Sequence, residues 1–237
     1  MKGKFYGIGV GPGDPELLTV KAVELIRQAD VVVSPESKKD EGSIALGIAA
    51  PYLKPGTERL TLVFPMTHDQ SVLEAAWRAN AEKIRQQTEQ GKTLVFLTLG
   101  DPTVFSTYMY LVPYLQAQGV PVETVPGITS FTAVAARMNL PLTLGHESLA
   151  VVPLMKGCAN AREALQHFDN CVIMKPSHDS ANLAALLTEL GLEDRFVLIS
   201  RCGTAEEALC TDIGEIAAGN VPYLSTMIVK KGGISLD

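Results

Sequence analysis

Three short glycine-containing segments carry the side chains best suited to ligand chemistry. They read GVGPGD at 9–14, LGDP at 99–102 and PGITS at 126–130, and each follows an apolar stretch. Glycine lets the backbone approach a ligand closely and leaves its amide uncovered. A nearby carboxylate or hydroxyl can then bind an ammonium, hydroxyl or carboxylate group of that ligand. These segments are candidate ligand-binding loops.

Each loop also has a purely structural interpretation. Asp14 and Asp101 can cap the helix that follows each of them, and Thr129 or Ser130 can cap the next helix. At Asp14 the two interpretations balance, whereas Asp101 considered alone favours a cap, with Pro102 at the first helical position. Three strand ends of similar build nevertheless favour one shared pocket.

The first loop departs from the dinucleotide-binding fingerprint. Asp14 stands where G-x-G-x-x-G requires its third glycine, and Pro12 removes one amide donor from the loop. Glu36, at the end of the second predicted strand, is still a suitable ribose ligand. An NAD(P)-binding oxidoreductase therefore remains an alternative.

The elements that position these loops alternate between strand and helix. Thr19 is the predicted cap of a helix over 20–28. Further helices are predicted over 44–53, 74–90 and 105–118, and strands over 5–10, 31–33, 60–64, 93–99 and 122–125. Short strand–helix connections predict a parallel sheet. Ligands bind beyond the carboxyl ends of such strands, which is where all three loops fall.

The second half predicts another α/β lobe. Helices are expected over 130–138, 161–168 and 181–190, with strands over 149–153, 171–175, 196–200 and 227–229. The fold class is therefore α/β with two lobes. We place the domains at 1–127 and 128–237, with the junction between Gly127 and His146.

Composition excludes several function classes. A net charge of −6 argues against nucleic-acid binding. No apolar run reaches the roughly 18 residues of a membrane span, and glycines interrupt the N-terminus too early for a signal peptide. The four cysteines, which lack C-x-x-C spacing, predict buried thiols in a reduced, cytoplasmic protein, and the four histidines show no metal-ligand spacing.

Taken together, the motifs resemble the tetrapyrrole (corrin/porphyrin) methylases, the S-adenosylmethionine-dependent family of cobalamin and sirohaem biosynthesis. The segments that carry the resemblance are GVGPGDPELLTVKA, TLGDPTVF, VPGITS and the closing PYLSTMIV. Within the family, the chain is most similar to enzymes that methylate carbon 20 of precorrin-2 or its cobalt form, cobalt-factor II. That narrower similarity lies in SPESKKDEGSIAL, VFPMT, LGDPTVFSTYMYL, SFTAVAAR and GHESLAVVP.

The resemblance implies a fold, a cofactor and an assembly. It implies an N-terminal parallel sheet and a C-terminal mixed sheet, with S-adenosylmethionine in a cleft between the lobes of a homodimer. It also implies contacts to that cofactor from Pro12, Leu99, Gly100, Asp101, Val104, Phe105, Thr129, Ser130, Met174 and Thr226. We accordingly expect Asp101→Ala to impair cofactor binding far more than folding. Met174 has a competing interpretation as core filling.

A tetrapyrrole substrate carries several carboxylates, so an acidic protein must meet it with local positive charge. Candidate substrate contacts are Asp14, Lys38, Lys39, His68 and Arg201, although the lysine pair is equally consistent with a solvated surface. No protein-held metal is expected, because cobalt would arrive inside the substrate. No residue is assigned as a catalytic acid or base. Methylation at another ring position and a non-catalytic tetrapyrrole-binding module remain alternatives.

Overall fold

The computed structural model describes residues 3–36 and 43–234 of the 237-residue chain. The chain forms two compact units, the first over Met1–Thr129 and the second over Ser130–Asp237. Each unit contains one five-stranded sheet with its own apolar core. The predicted α/β class, with a parallel and a mixed sheet, is confirmed.

The sheet of the first unit is entirely parallel and has the strand order β3-β2-β4-β1-β5. Its strands are β1 (Phe5–Gly9), β2 (Val31–Glu36), β3 (Glu58–Val63), β4 (Leu94–Thr98) and β5 (Val122–Val125). Its helices are α1 (Val20–Gln28), α2 (Ile44–Ala49), α3 (Gln70–Glu89) and α4 (Tyr108–Ala117). Because β4 is central, all five of its residues are buried, which explains its continuous apolar sequence.

Local chemistry sets the helix bounds. Thr19 accepts a hydrogen bond from the Ala22 N–H and starts α1 at the predicted residue. Asp69 caps α3 four residues earlier than predicted, by accepting hydrogen bonds from the N–H groups of Ser71 and Val72. The predicted helix over 44–53 instead gives way to a 3₁₀ turn over Ala50–Tyr52, which contains a proline.

The prediction that Ser34-Pro35 ends the second strand is wrong. β2 continues to Glu36, and past Val33 it pairs only with β3. On the side away from β3, this part of β2 has no partner strand among the described residues. The missing N–H of Pro35 on that side therefore breaks no sheet hydrogen bond.

The second unit has the strand order β6-β7-β10-β8-β9. β6 and β7 are parallel, whereas β10 is antiparallel to both β7 and β8. The strands are β6 (Leu149–Pro153), β7 (Asn170–Met174), β8 (Phe196–Ser200), β9 (Ala208–Cys210) and β10 (Ser225–Lys230). The helices are α5 (Ser130–Arg137), α6 (Ala159–His167), α7 (Ser180–Glu189) and α8 (Ile213–Ala217).

Sequence patterns missed β9 and α8, which contain only three and five residues. The expectation of four buried thiols also needs correction. Cys158, Cys171 and Cys202 are buried, but Cys210 is half-buried because β9 lies at the edge of the sheet. No helix in the described ranges is long and apolar enough to cross a bilayer.

A close contact in the first unit links β1 to the start of α4. The ring of Tyr108 lies against Gly7, where an added Cβ would come within 2.2 Å of the Tyr108 Cζ atom. The Tyr108 hydroxyl lies 2.8 Å from the Thr124 hydroxyl on β5. Only glycine at position 7 leaves room for this buried ring to pack against the sheet.

We therefore expect Gly7→Ala to lower the free energy of unfolding by about 1–3 kcal/mol, because the added methyl group overpacks the core. Urea unfolding followed by circular dichroism measures the change. Gly47→Ala is the matched control: Gly47 lies in α2 with no atom near its added Cβ, so alanine there should be neutral or stabilising by up to about 1 kcal/mol. Equal stability of the two variants would contradict the proposed packing role.

Candidate functional site

The three glycine loops meet at one edge of the first sheet. β1 lies between β4 and β5 in the sheet, so the loops that follow these three strands begin side by side. Beyond the strands, Gly100 N–H donates to the Gly11 carbonyl oxygen at 2.7 Å, and Gly11 N–H donates to that of Gly100 at 3.3 Å. The third loop also packs against the second, since a Cβ added to Gly127 would stand only 2.2 Å from the Gly100 carbonyl oxygen. Backbone thus packs directly on backbone.

Asp101 connects two of these loops. Its side chain is 7% exposed, and its Oδ2 accepts a hydrogen bond from Gly127 N–H at 2.9 Å. Its Oδ1 accepts from the Thr103 N–H at 2.7 Å and from the Thr103 hydroxyl. Burial by itself raises the pKa of Asp101, but the hydrogen bonds from Thr103 and Gly127 outweigh it, so the net pKa is lowered.

These contacts correct the expectation that Asp101 is a helix cap, and they add a structural role to its predicted cofactor contact. It does not cap the following helix, because α4 begins only at Tyr108, whose N–H donates to the Ser106 hydroxyl. Nor is its removal expected to spare folding, because both carboxylate oxygens serve intramolecular bonds. The role of Thr103 was not predicted, although an Asp followed two residues later by Thr is a typical signature of such a turn.

The other predicted residues of this unit surround the loops. Pro12 is buried and Leu99 and Val104 are half-buried. Phe105 is 50% exposed and has a φ of 50°, a left-handed conformation that is disfavoured for a large side chain. Strain of this kind concentrates at functional sites. Asp14 accepts from Glu16 N–H at 2.8 Å and so caps a short 3₁₀ turn, as its structural interpretation requires.

Three predicted residues come together within the second unit. Ser130 begins α5, while Met174 on β7 and Thr226 on β10 are register partners. The Thr226 hydroxyl donates to the Ser130 oxygen at 2.9 Å, and the Ser130 hydroxyl lies 3.8 Å from the Met174 sulfur. We call Ser130, Met174 and Thr226 the hydroxyl cluster. Thr129, the last residue of the first unit, is half-buried.

The predicted substrate contacts do not form one group within a unit. His68 is exposed between β3 and α3 of the first unit, whereas Arg201 is exposed directly after β8 of the second. Arg201 forms an ion pair with Glu206. Lys38 and Lys39 lie outside the described residues. Among the described residues, no group of three or more His, Cys, Asp or Glu side chains is arranged to hold a metal ion.

Comparison with known proteins identifies the class. Residues 4–217 match the model of the tetrapyrrole (corrin/porphyrin) methylases, and the chain belongs to this family. It is 37% identical over 98% of both chains to the cobalt-precorrin-2 C(20)-methyltransferase of Salmonella typhimurium. It is 36% identical, over 96% of both chains, to a probable cobalt-precorrin-2 C(20)-methyltransferase of Methanocaldococcus jannaschii.

Two further similarities extend this result. The chain is 33% identical to the precorrin-2 C(20)-methyltransferase of a Sinorhizobium species, covering 96% of this chain and 95% of that one. A uroporphyrin-III C-methyltransferase from Thermus thermophilus, solved with S-adenosylhomocysteine, has a TM-score of 0.70 and 28% identity, covering 97% of this chain and 98% of that one. The predicted family is confirmed.

The double role of Asp101 gives a test of the loop geometry. In Asp101→Asn one amide NH₂ group must face either the Gly127 or the Thr103 N–H, donor against donor. We expect a loss of about 1–3 kcal/mol in unfolding free energy at pH 7. Urea unfolding measures it, with Asp69→Asn as the control, because asparagine also caps a helix well.

The pH dependence of this loss has a defined sign. Because folding lowers the pKa of Asp101, its carboxylate stabilises the fold above its ordinary pKa, and this contribution disappears as pH falls through the lowered value. The difference between wild type and Asp101→Asn should therefore shrink below about pH 4. A difference that persists unchanged in acid would contradict the hydrogen-bond assignment.

Proposed function

We propose that this protein transfers the methyl group of S-adenosylmethionine to carbon 20 of precorrin-2, or of its cobalt form cobalt-factor II, in cobalamin biosynthesis. The observation that carries the proposal is 37% identity over 98% of both chains to a cobalt-precorrin-2 C(20)-methyltransferase. Relatives named for the cobalt-containing and the metal-free substrate both match nearly the full chain, so both substrates belong in the test.

The described residues fit a sulfonium donor of this kind. The backbones of Gly9, Gly100 and Gly127 approach so closely that a Cβ on Gly9 or Gly127 would collide with the neighbouring loops, so the loop backbone here carries no side chain that would block a ligand. We assign the methionine part and the ribose to Leu99, Gly100, Asp101, Val104 and Phe105 in domain 1–127, beside Pro12. From the residues after Gly127 we assign the methionine carboxylate to Thr129 and Ser130, and the adenine border to Met174 and Thr226.

The reaction makes limited chemical demands on the protein. S-adenosylmethionine supplies an activated methyl group, whose bonding electron pair remains on sulfur when the methyl carbon is attacked in line. The attacking atom is an electron-rich bridging carbon of the macrocycle, so no strong base is needed to create it. The main contribution of the protein is to hold donor and acceptor in line, and alignment of this kind can supply up to about 7–11 kcal/mol.

We also infer that the protein acts as a cytoplasmic homodimer. An exposed apolar surface on α3 and α4 supports self-association: Val72, Met109 and Tyr110 are exposed, and Trp77 stacks on Tyr110 with ring centroids 4.6 Å apart. The four free thiols support a reducing compartment.

Transfer of labelled methyl to precorrin-2 or cobalt-factor II tests the proposed function. We expect one labelled methyl group per acceptor, located at carbon 20 by NMR. Uroporphyrinogen III serves as the control acceptor and should receive none. Methylation of another ring carbon would support the alternative of a methylase with different regiochemistry. A protein that binds tetrapyrrole without methyl transfer would be a binding module.

The hydroxyl cluster gives a test of donor binding. Thr226→Val keeps the shape of the side chain but removes the hydroxyl, so S-adenosylhomocysteine should bind about tenfold more weakly, or about 1.4 kcal/mol. Isothermal titration calorimetry measures the affinity. Thr61→Val, on the exposed face of β3, is the matched control and should bind normally. NAD should not bind either variant or the wild type. Unchanged affinity in Thr226→Val would remove this hydroxyl from the donor site.

A further inference from the structure

The second sheet has one edge where basic residues follow the strands. β6 runs parallel to β7, and both β7 and β8 run antiparallel to β10, so β6, β7 and β8 all end at the same edge. Beyond these ends stand Lys156, Lys175 and Arg201, respectively. We call these three residues the basic edge. These three cations follow neighbouring strand ends in a chain whose net charge is −6.

Two of these residues have an unusual backbone. Lys175 has φ 55° and ψ 47°, and Arg201 has φ 49°, both in the left-handed region that favours glycine. Each comes immediately after its strand, at Met174 and Ser200. Strained non-glycine residues of this kind cluster at active sites and ligand-binding sites.

The charges of the basic edge are unequally compensated. Arg201 forms an ion pair with Glu206, and Lys156 acts electrostatically on Asp179. The Lys175 side chain, in contrast, makes no hydrogen bond or ion pair within the described part of the chain, and it is half-buried. An ammonium group without an intramolecular partner can form a charge-assisted hydrogen bond with a carboxylate of a ligand. Lys175 is therefore the residue of this edge that is free to bind one.

We propose that Lys175, flanked by Lys156 and Arg201, binds carboxylates of the tetrapyrrole acceptor; this inference rests on the proposed function. The acceptor carries several carboxylates around one ring and needs more than one cation to meet them. β7 and β8 are separated by β10, so Lys175 and Arg201 stand about two strand spacings, roughly 10 Å, apart along the edge. Long side chains that start from backbone positions at that spacing can reach separate carboxylates of one macrocycle.

Lys175 also follows Met174 of the hydroxyl cluster, which places the acceptor contact next to residues assigned to the donor. The neighbouring assignments give a competing role for Lys175, namely binding of the methionine carboxylate. If Lys175 binds the acceptor, loss of its ammonium group raises the KM for cobalt-factor II. If it binds the methionine carboxylate, the same loss raises the dissociation constant of S-adenosylhomocysteine.

The experiment compares wild type, Lys175→Gln, Lys175→Gly, Lys175→Arg and the control Lys83→Gln in methyl transfer from labelled S-adenosylmethionine to cobalt-factor II. Lys83 is exposed on α3 of the first unit, so its variant removes one positive charge elsewhere. We expect Lys175→Gln and Lys175→Gly to raise the KM for cobalt-factor II about tenfold with little change in kcat. Lys175→Arg and Lys83→Gln should retain the KM of the wild type.

Two further readouts separate this role from a structural one. Lys175→Gly relieves the strained backbone, so it should match or exceed the wild type in thermal stability while still losing acceptor affinity. The KM of the wild type should rise with salt more steeply than that of Lys175→Gln. S-adenosylhomocysteine affinity, measured by calorimetry, should be unchanged in every variant.

Defined results overturn the inference. An unchanged KM in Lys175→Gln, with an active wild type, rejects the acceptor role while the proposed function stands. Weakened S-adenosylhomocysteine binding in Lys175→Gln assigns the ammonium to the donor and also rejects it. A wild-type protein that transfers no methyl group to any tetrapyrrole overturns the proposed function, and this inference with it.

Discussion

The candidate site depends on direct backbone contact among three strand ends. Gly9, Gly100 and Gly127 approach so closely that a Cβ on Gly127 would stand 2.2 Å from the Gly100 oxygen and 2.7 Å from Gly9. The parallel sheet makes this possible, because β4, β1 and β5 are neighbours and all end at one edge. A side chain at Gly9 or Gly127 would force the loops apart, because its Cβ would collide with their backbone. Sheet topology and glycine placement thus create the site together.

Asp101 shows how one buried charge can hold two loops of the candidate site together. Its carboxylate accepts hydrogen bonds from the third loop and from its own turn, which compensates the desolvation of the charge. The carboxylate therefore fixes the spacing of two loops before any ligand arrives. Such preorganisation is what methyl transfer requires, because the protein contributes mainly alignment and does not need to generate a strong nucleophile.

The second unit contributes different chemistry through a mixed sheet. Antiparallel pairing of β10 with β7 places Thr226 beside Met174, and α5 brings Ser130 to the same point. The same strand arrangement gathers Lys175 and Arg201 at one edge. Hydroxyl groups and cationic side chains therefore lie close together along the sheet, which suits a neutral nucleoside and a polyanionic macrocycle, respectively. An acidic protein can bind an anionic substrate when some of its cations are concentrated in one place.

The sequence by itself determined the strand–helix alternation, the three loops and the family, because apolar periodicity, glycine spacing and caps such as Thr19 are local signals. It also predicted Ser130, Met174 and Thr226 as cofactor contacts, although only through the resemblance, and did not predict that they contact one another. Tertiary structure decided which residues are partners. Neither the bond from Gly127 to Asp101 nor that from Thr226 to Ser130, 26 and 96 residues apart, has a local signature. The edge strand β9 and the strained Lys175 also escaped prediction, because pairing and backbone strain are set by the neighbouring strands.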